Sequence, residues 1–401
     1  MPSAAATTTR NAVVRQPGAG TVGLLATAAG LSVASIYYNQ PMLGILAQEF
    51  QVDAAAISWI AVLTQVGYAL GLVALAPLGD RFERRGLIGL TFAALSLSLT
   101  MAALAPSLGV LLVASLFVGI LATVAQQVVP MAAQLAPEAR RGSVVGVVMA
   151  GLLAGILLSR TISGLVAAYG SWRDMFGLAA VASLFMSAVL VLRLPRVEPA
   201  TAISYPQILL SLGRLFGRYA TLRRAGLVQG LLFGGFVAFW ANLALFLEKP
   251  PFSQGSAVAG LLGLVGVAGV VCAPLAGRLA DRGSKGRLVA WGAGGVLAGF
   301  AVLGLFPSSW TALILGILLM DIGLQSALVA NQARIYGLDA SARSRINTVF
   351  MTTMFLGGAV GTAASAQAFA VFGWAGVCVM GGGLAAAALA MELFGRQARA
   401  A

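Results

Sequence analysis

The chain contains no histidine, only two cysteines and few charged side chains, and each shortage excludes some chemistry. Charged residues make up 9% of its 401 residues, and only 12 are acidic. Without histidine there is no Ser-His-Asp triad, no histidine proton relay and no source of the commonest metal ligand. Cys272 and Cys378 lie apart in apolar stretches, where a packing role is expected. We therefore predict neither a metal site nor a cofactor.

What the chain has in abundance is apolar sequence. Hydrophobic residues make up 59% of it and the mean hydropathy is +0.93, which is too much apolar surface for a soluble domain of this length to bury. A stretch of about 20 apolar residues is long enough to cross a bilayer. We predict an all-α polytopic membrane protein with twelve spans, numbered in chain order: 21–48, 56–78, 87–106, 108–135, 142–168, 174–194, 225–247, 254–276, 287–306, 309–333, 346–371 and 373–394.

The net charge of +13 lies almost entirely on one side of this topology. When both termini and every second loop are placed together, only Arg173 and Lys249 fall on the other side, and Arg160 falls within span 5. The remaining 22 of the 25 Lys and Arg residues face one compartment. By the positive-inside rule that side is cytoplasmic, so we predict cytoplasmic termini and no nucleic-acid partner. The sequence has no Asn-x-Ser/Thr glycosylation site, and arginine outnumbers lysine 23 to 2, which predicts a bacterial inner-membrane location.

Two copies of a charged loop, half a chain apart, indicate an internal duplication. Their aspartates, Asp80 and Asp281, are 201 positions apart, and three further pairs of landmark residues are each separated by 202: Arg141 and Arg343, Gly155 and Gly357, Trp172 and Trp374. We predict two pseudo-symmetric six-helix halves, 21–194 and 225–401, after an N-terminal tail over 1–20. The linker, 195–224, has apolar residues on one helical face and arginines on another after Pro206. This pattern predicts an amphipathic helix on the cytoplasmic leaflet, a tether in preference to a regulatory element.

The loop after span 2 resembles the signature of the major facilitator superfamily, Gly-x-Leu-x-Asp-Arg-x-Gly-Arg-Arg. Its matching residues are Leu78, Asp80, Arg81, Arg84 and Arg85, while Ala76 and Glu83 replace the two glycines. The loop after span 8 keeps Gly277, Leu279, Asp281 and Arg282. The resemblance implies a transporter whose halves surround a central cavity and move by alternating access.

The same resemblance implies a gating role for Asp80 and Arg81, with Asp281 and Arg282 as a weaker counterpart. An acid and an arginine at the helix ends can make charge-assisted contacts with the facing half in one conformation. For Arg84 and Arg85, gating and enforcement of topology both stay open.

Span 5 carries part of a second signature. Drug-exporting members of the superfamily resemble one another in a Gly-x8-Gly-x3-Gly-Pro-x2-Gly-Gly pattern, where this chain has Gly146, Gly155, Ser159, Arg160, Ser163 and Gly164. The chain thus resembles the bacterial drug or metabolite:proton antiporter branch, with Arg160 at the position of the proline. It departs from that branch in having no acid within span 1 before Glu49 and no arginine within span 4 before Arg140.

Two charged residues, Arg160 in span 5 and Asp321 in span 10, lie well inside predicted spans. A charge within the bilayer costs about 2.5–3.5 kcal/mol on insertion scales, so each should face a cavity or a partner. Asp321, Gln325 and Gln332 share one helical face. Our hypothesis is that Asp321 exchanges protons and that Arg160 modulates its affinity for them. The alternative is a fixed salt bridge between the two that joins the halves.

Other polar and aromatic residues are candidates for the substrate cavity, because spans 1, 4, 7 and 10 line it in the fold that the resemblance implies. Amides and phenols there offer neutral hydrogen bonds and aromatic rings offer apolar area, which suits a small amphipathic ligand. For Tyr37 and Trp240 an anchoring role at the membrane interface is the alternative. The candidates are Tyr38, Asn39, Gln126, Gln127, Phe236, Trp240, Asn242, Gln325, Asn331 and Gln332.

The function predicted from these features is secondary active transport, with proton-coupled export of small organic molecules by a monomer. The alternatives are a symporter or facilitator that imports a metabolite, and a membrane receptor that transports nothing. A membrane-embedded enzyme is disfavoured because histidine and a paired carboxylate motif are missing. No Gly-x-x-x-x-Gly-Lys-Ser/Thr phosphate loop occurs in the sequence, which argues against an ATP-driven pump.

Overall fold

The computed structural model describes residues 19–196, 204–282, 284–339 and 342–397, and this part of the chain is helical without a β-strand. Its side chains are described except at residues 80, 139, 281 and 395–397. The α-helices are α1 Ala19–Ala34, α2 Leu43–Glu49, α3 Ala54–Ala74, α4 Arg84–Ala103, α5 Leu108–Leu121, α6 Ala125–Leu135, α7 Arg141–Tyr169, α8 Trp172–Arg193, α9 Tyr205–Arg218, α10 Ala220–Leu247, α11 Ser256–Leu261, α12 Val267–Arg282, α13 Lys285–Leu305, α14 Trp310–Ile335 and α15 Arg343–Gln397.

These helices form the twelve predicted spans in two groups of six, which confirms the predicted fold class. Spans 2, 3, 5, 6, 7, 9 and 10 are the single helices α3, α4, α7, α8, α10, α13 and α14. Two helices build each of span 1 (α1, α2), span 4 (α5, α6) and span 8 (α11, α12). Helix α15 contains spans 11 and 12, which are divided at Gly373, whose φ of +60° is a backbone conformation that favours glycine.

Short 3-10 turns interrupt spans 1, 4 and 8, a feature that the sequence ranges did not contain. They cover Gln40–Met42, Ala122–Val124 and Leu262–Gly266. In the first turn Pro41 has no N–H to donate to a helical hydrogen bond. In the third, the glycines at 263 and 266 lower the preference for a regular α-helix. Such interruptions direct side chains and backbone groups toward the interior of the bundle.

Glycines pack the helices closely within each half, and they do so at equivalent positions. A Cβ atom at Gly155 of span 5 would overlap the backbone of Gly30 in span 1. In the second half, a Cβ atom at Gly357 of span 11 would overlap the backbone of Gly230 in span 7. Gly155 and Gly357 are the pair 202 positions apart, so the duplication is present in the packing as well as in the sequence.

The two halves meet closely at one end of the bundle between spans 5 and 8. We call this the distal end and the end with the two charged loops the loop end. At the distal end the Thr161 hydroxyl donates to the Gly260 carbonyl at 3.0 Å, and the Ser256 hydroxyl donates to the Gly164 carbonyl at 3.1 Å. Toward the loop end, α12 packs on α14 instead, and Gly146 of span 5 has open space in place of a neighbouring helix. The halves are therefore separated between spans 5 and 8 at the loop end.

The linker helix α9 contacts both halves at the loop end. Its apolar face, with Ile208, Leu212 and Leu215 buried, packs against span 11 of the second half. The Tyr205 hydroxyl donates to the Ala74 carbonyl of span 2 in the first half at 2.8 Å. The predicted N-terminal tail lies outside the described residues except for its last two positions.

Candidate functional site

Arg160 lies in the middle of the bundle, where it joins the two halves. Only 2% of its surface is exposed, and its Nε donates to Gln40 Oε1 of span 1 at 2.8 Å. The guanidinium carbon lies 4.6 Å from the ring centroid of Tyr37 in span 1 and 4.4 Å from that of Trp240 in span 7. Both distances are typical of cation–π contacts, which stabilise a desolvated arginine. The positive charge is therefore held by residues of both halves.

The interruption of span 1 accounts for part of this arrangement. Gln40 opens the 3-10 turn that contains Pro41, and its side chain is 1% exposed and directed at span 5. Tyr37 and Trp240 are 4% and 3% exposed. Their burial against Arg160 supports an internal position over an anchoring role at the membrane interface.

Asp321 is 7% exposed in span 10, and no salt bridge joins it to Arg160 within the part of the chain that the structure describes. The fixed bridge that was the alternative at the sequence level is thus not formed here. The interrupted segment of span 8 contacts both groups, because a Cβ atom at Gly263 would lie 3.1 Å from Arg160 Cβ, and one at Gly266 would lie 3.3 Å from Asp321 Oδ1.

Several predicted cavity residues are held by partners on neighbouring spans. Asn39 donates to the Thr64 hydroxyl at 3.1 Å, and Gln126 donates to the Tyr68 hydroxyl at 3.3 Å, both on span 2. Gln127 donates to the carbonyl of residue 75, also at 3.3 Å. The first-half candidates are therefore oriented by span 2, which the sequence did not assign to the cavity.

The second half shows the same kind of pairing. Asn331 of span 10 donates to Gln229 Oε1 of span 7 at 3.2 Å, and Asn242 of span 7 donates to the Ser365 hydroxyl of span 11 at 2.9 Å. In the sequence, Thr64, Gln229 and Ser365 are marked only by being polar residues within the apolar spans 2, 7 and 11. Their partners became evident only in the folded chain.

The remaining cavity candidates are less strongly fixed. Phe236 packs edge-on against Trp240, with ring centroids 6.2 Å apart, and Tyr38 is buried at 4% exposure. Gln325 and Gln332 are partly exposed on span 10. The structure therefore places Trp240 against Arg160 and Phe236 against Trp240, whereas the amides Asn242 and Gln127 are bound to other helices.

The charged loop after span 2 is held within its own half. Arg84 is buried and its Nε donates to the Gly79 carbonyl at 2.8 Å, while Arg85 donates to the Leu194 carbonyl at the end of span 6 at 3.3 Å. Arg81 and Arg282, in contrast, are exposed at the loop end. The side chains of Asp80 and Asp281 lie outside the described part of the structure, so their gating roles stay predictions.

At the distal end, the Glu248 carboxylate lies against Gly44 of span 1, where a Cβ atom would overlap it. Glu248 follows the last residue of span 7, so this contact also joins the halves. Burial raises the pKa of this carboxyl above its ordinary value of 4.5.

This burial makes stability depend on pH in a direction that follows from linkage. Because the folded protein holds the Glu248 proton more tightly than the unfolded chain, its stability falls as the pH rises from 4.5 through the raised pKa. Glu248→Gln removes the contribution, so its melting temperature in detergent should fall less than that of the wild type across this window. Glu138→Gln, at an exposed position of the loop end, controls for the loss of one negative charge. Equal slopes for Glu248→Gln and the wild type would contradict this expectation.

The fold and the buried charged site between its halves define a multi-pass membrane transport protein. The chain belongs to the major facilitator superfamily, whose family model, described as Major Facilitator Superfamily, matches residues 25–362. It is therefore a transporter, not an enzyme, and proteins of this kind bind small-molecule substrates within the membrane.

Known relatives agree with this assignment. The chain is 39% identical over 363 residues to the uncharacterized transporter YgaY of Escherichia coli O157:H7, covering 90% of this chain and 92% of that one. It is 32% identical over 370 residues to the probable transporter SCO4007 of Streptomyces coelicolor, covering 90% and 84%. Among solved structures, a bacterial homologue of the human lysosomal transporter Spinster, in an inward-facing and occupied conformation, has the same fold, with a TM-score of 0.71, 17% identity and 94% of each chain covered.

Proposed function

We propose that this transporter is a proton-coupled exporter of small organic molecules. The observation that carries the proposal is the pair of buried, oppositely charged residues, Arg160 in the first half and Asp321 in the second, which do not form a salt bridge with each other in the described structure. Burial favours the neutral form of a carboxyl group, and a nearby cation favours its charged form. A movement of the halves that changes the separation of the two residues therefore changes the affinity of Asp321 for a proton.

We propose the orientation of the exporter in the membrane from the uneven distribution of its positive charges between the two ends. The loop end carries the arginine-rich loops, so the positive-inside rule places it, together with both termini, in the cytoplasm of a bacterial cell with the protein in the inner membrane. Spans 5 and 8 are joined at the distal end and lie apart at the loop end, whereas spans 2 and 11 stay packed together, with the ring centroids of Tyr68 and Phe355 4.2 Å apart. We propose that the gap between spans 5 and 8 is where the loop end opens to admit a substrate from the cytoplasm, which is the first step of export. We propose that a single chain carries out the whole cycle.

We propose that the two charged loops hold the halves together when the loop end closes. Arg282 is exposed at the end of span 8, beside the gap between spans 5 and 8, and Arg81 is exposed after span 2. We propose that both contact the facing half when the loop end closes. We propose Asp80 and Asp281 as their acidic counterparts in that conformation. Arg84 and Arg85 hold the first loop against its own half, which makes them supports for Arg81 more than contacts across the separation.

Transport in proteoliposomes tests the direction of coupling. Vesicles whose interior is about one pH unit more acidic than the medium drive protons outward, so an antiporter concentrates its substrate inside by up to about tenfold. A panel of labelled small organic molecules is screened under this gradient and under the reverse one. Accumulation in the acid-inside vesicles supports export in the cell. Accumulation only under the reverse gradient would indicate a symporter, and equal entry without a gradient would indicate a facilitator.

A further inference from the structure

Arg160 has one unused donor at the centre of the bundle. A guanidinium group carries five N–H donors in a planar fork and accepts nothing. Nε is bonded to Gln40, and Nη1 donates to the Ile156 carbonyl at 3.5 Å. Nη2 is buried without a hydrogen-bond partner among the described residues. Because a carboxylate fits the edge of a guanidinium, the group that matches this position is a carboxylate.

Among the described residues, Asp321 has an oxygen atom that lacks a hydrogen-bond donor, whereas Arg160 has a donor that lacks an acceptor. Its Oδ2 is buried, and no donor of the described chain reaches it. A buried carboxylate is strongly disfavoured unless it is paired with a cation or binds a proton. The group that matches this position is therefore either a proton or a cationic amine.

The spacing of the two groups suits one small molecule. A Cβ atom at Gly263 of span 8 would lie 3.1 Å from the Cβ of Arg160, and one at Gly266 would lie 3.3 Å from Oδ1 of Asp321. Three residues of a 3-10 segment rise by about 6 Å, a separation that a small molecule can span. The Leu157 side chain of span 5 packs against Gly266 beside this position and adds apolar surface. Tyr37 and Trp240 flank the guanidinium and offer aromatic surface for an apolar substituent.

We infer that the substrate is a small zwitterion, whose carboxylate pairs with Arg160 Nη2 and whose amine pairs with Asp321, with an apolar substituent against the aromatic rings. This inference rests on the proposed export function and deepens it. The amine and a proton compete for the same carboxylate of Asp321, so the site holds one or the other. Competition of this kind couples the outward movement of substrate to the inward movement of protons. An anion without an amine does not compete with the proton, because Asp321 can be protonated while Arg160 holds the anion.

Binding to the purified full-length protein tests the inference with matched ligands. Alanine, leucine and phenylalanine are each compared with the analogue that lacks the amine and with the analogue that lacks the carboxylate, by calorimetry and by thermal shift. For the best-fitting size, the zwitterion should bind roughly 10- to 100-fold more tightly than either analogue, because each omission leaves one buried charge unpaired. No preference for the zwitterion at any of the three sizes would overturn the inference.

Two variants assign each half of the ligand to its residue. In Arg160→Gln the carboxylate should no longer contribute, so the amino acid and its decarboxylated analogue should bind equally. In Asp321→Asn the amine should no longer contribute, so the amino acid and its deaminated analogue should bind equally. Arg214→Gln and Asp53→Asn, at exposed positions, are the matched controls and should keep the preference of the wild type. If either site variant fails to fold, the comparison of ligands on the wild type still decides the question.

The binding test of the ligand class and the transport test of proton coupling can fail independently of each other. A preference for the zwitterion without transport driven by a pH gradient would leave the ligand class standing and remove proton coupling. Gradient-driven transport of a molecule that lacks an amine or a carboxylate would keep the coupling and overturn the ligand class.

Discussion

Asp321→Asn will abolish the accumulation of substrate that a pH gradient drives. Asparagine has nearly the same size and shape as aspartate, but it does not bind or release a proton. With about one pH unit across the membrane, the wild type can reach a concentration ratio of up to about 10, whereas the variant should stay at about 1. Exchange of labelled for unlabelled substrate at saturating concentration should persist, because movement of the halves with substrate bound does not require a proton.

The measurement is paired uptake in proteoliposomes, with the gradient imposed for one sample and collapsed by an ionophore for the other. Asp53→Asn is the control, since asparagine replaces aspartate well at the N-terminus of α3. Accumulation by Asp321→Asn equal to that of the wild type would exclude Asp321 as the proton-exchanging group. Loss of both accumulation and exchange, with an intact melting temperature, would assign Asp321 to substrate binding alone.

Glu392→Ala will lower the free energy of unfolding by about 3–5 kcal/mol, the largest effect on stability that we expect from a single charge. Glu392 of span 12 is 1% exposed and accepts hydrogen bonds from Arg334 of span 10 at 2.8 and 3.2 Å. Arg224 of span 7 also lies within 3.6 Å of its carboxylate. Removing the acid takes its carboxylate partner from Arg334, whose side chain is only 14% exposed.

Glu49→Ala is the matched control for this prediction. Glu49 forms an even shorter ion pair, with Arg173 at 2.6 Å, but the two side chains are 41% and 38% exposed. Water and salt screen an exposed pair, so the expected loss is only about 0.2–1 kcal/mol. Both variants are compared with the wild type by unfolding in detergent with a denaturant. Similar losses for the two would show that burial does not determine the contribution of these ion pairs.

Much of the fold was predictable because the bilayer imposes simple rules on a sequence. Long apolar stretches must be helices, since each backbone N–H and C=O needs a partner inside its own segment. The separation of 202 between Gly155 and Gly357 identified the repeat, and both glycines prove to permit the same close contact between helices. Arg160 and Asp321 were found because a charge within a span is costly and therefore rare.

The partners of those residues were not predictable from spacing. Gln40, Thr64 and Gln229 look like any other polar residue in an apolar span, and their contacts join helices that are distant in the chain. The interruption of span 4 at Ala122–Val124 contains no proline or glycine from which it could be predicted. In the structure, the Thr123 hydroxyl donates to the Ile120 carbonyl at 2.8 Å there. Side-chain bonds of this kind compete with a regular helix only in the right surroundings.

The sequence by itself determined the membrane-spanning class, the twelve helices, their division into two repeated halves and the two intramembrane charges. These properties depend on composition and on periodicity along the chain, which the transfer of each segment from water to lipid makes decisive. Only the tertiary structure decided that Arg160 lies between Tyr37 and Trp240, that it forms no salt bridge with Asp321 in the described structure, and that spans 5 and 8 meet at the distal end. Within a bilayer every apolar face is equally well solvated by lipid, so close packing and individual hydrogen bonds select which helices meet.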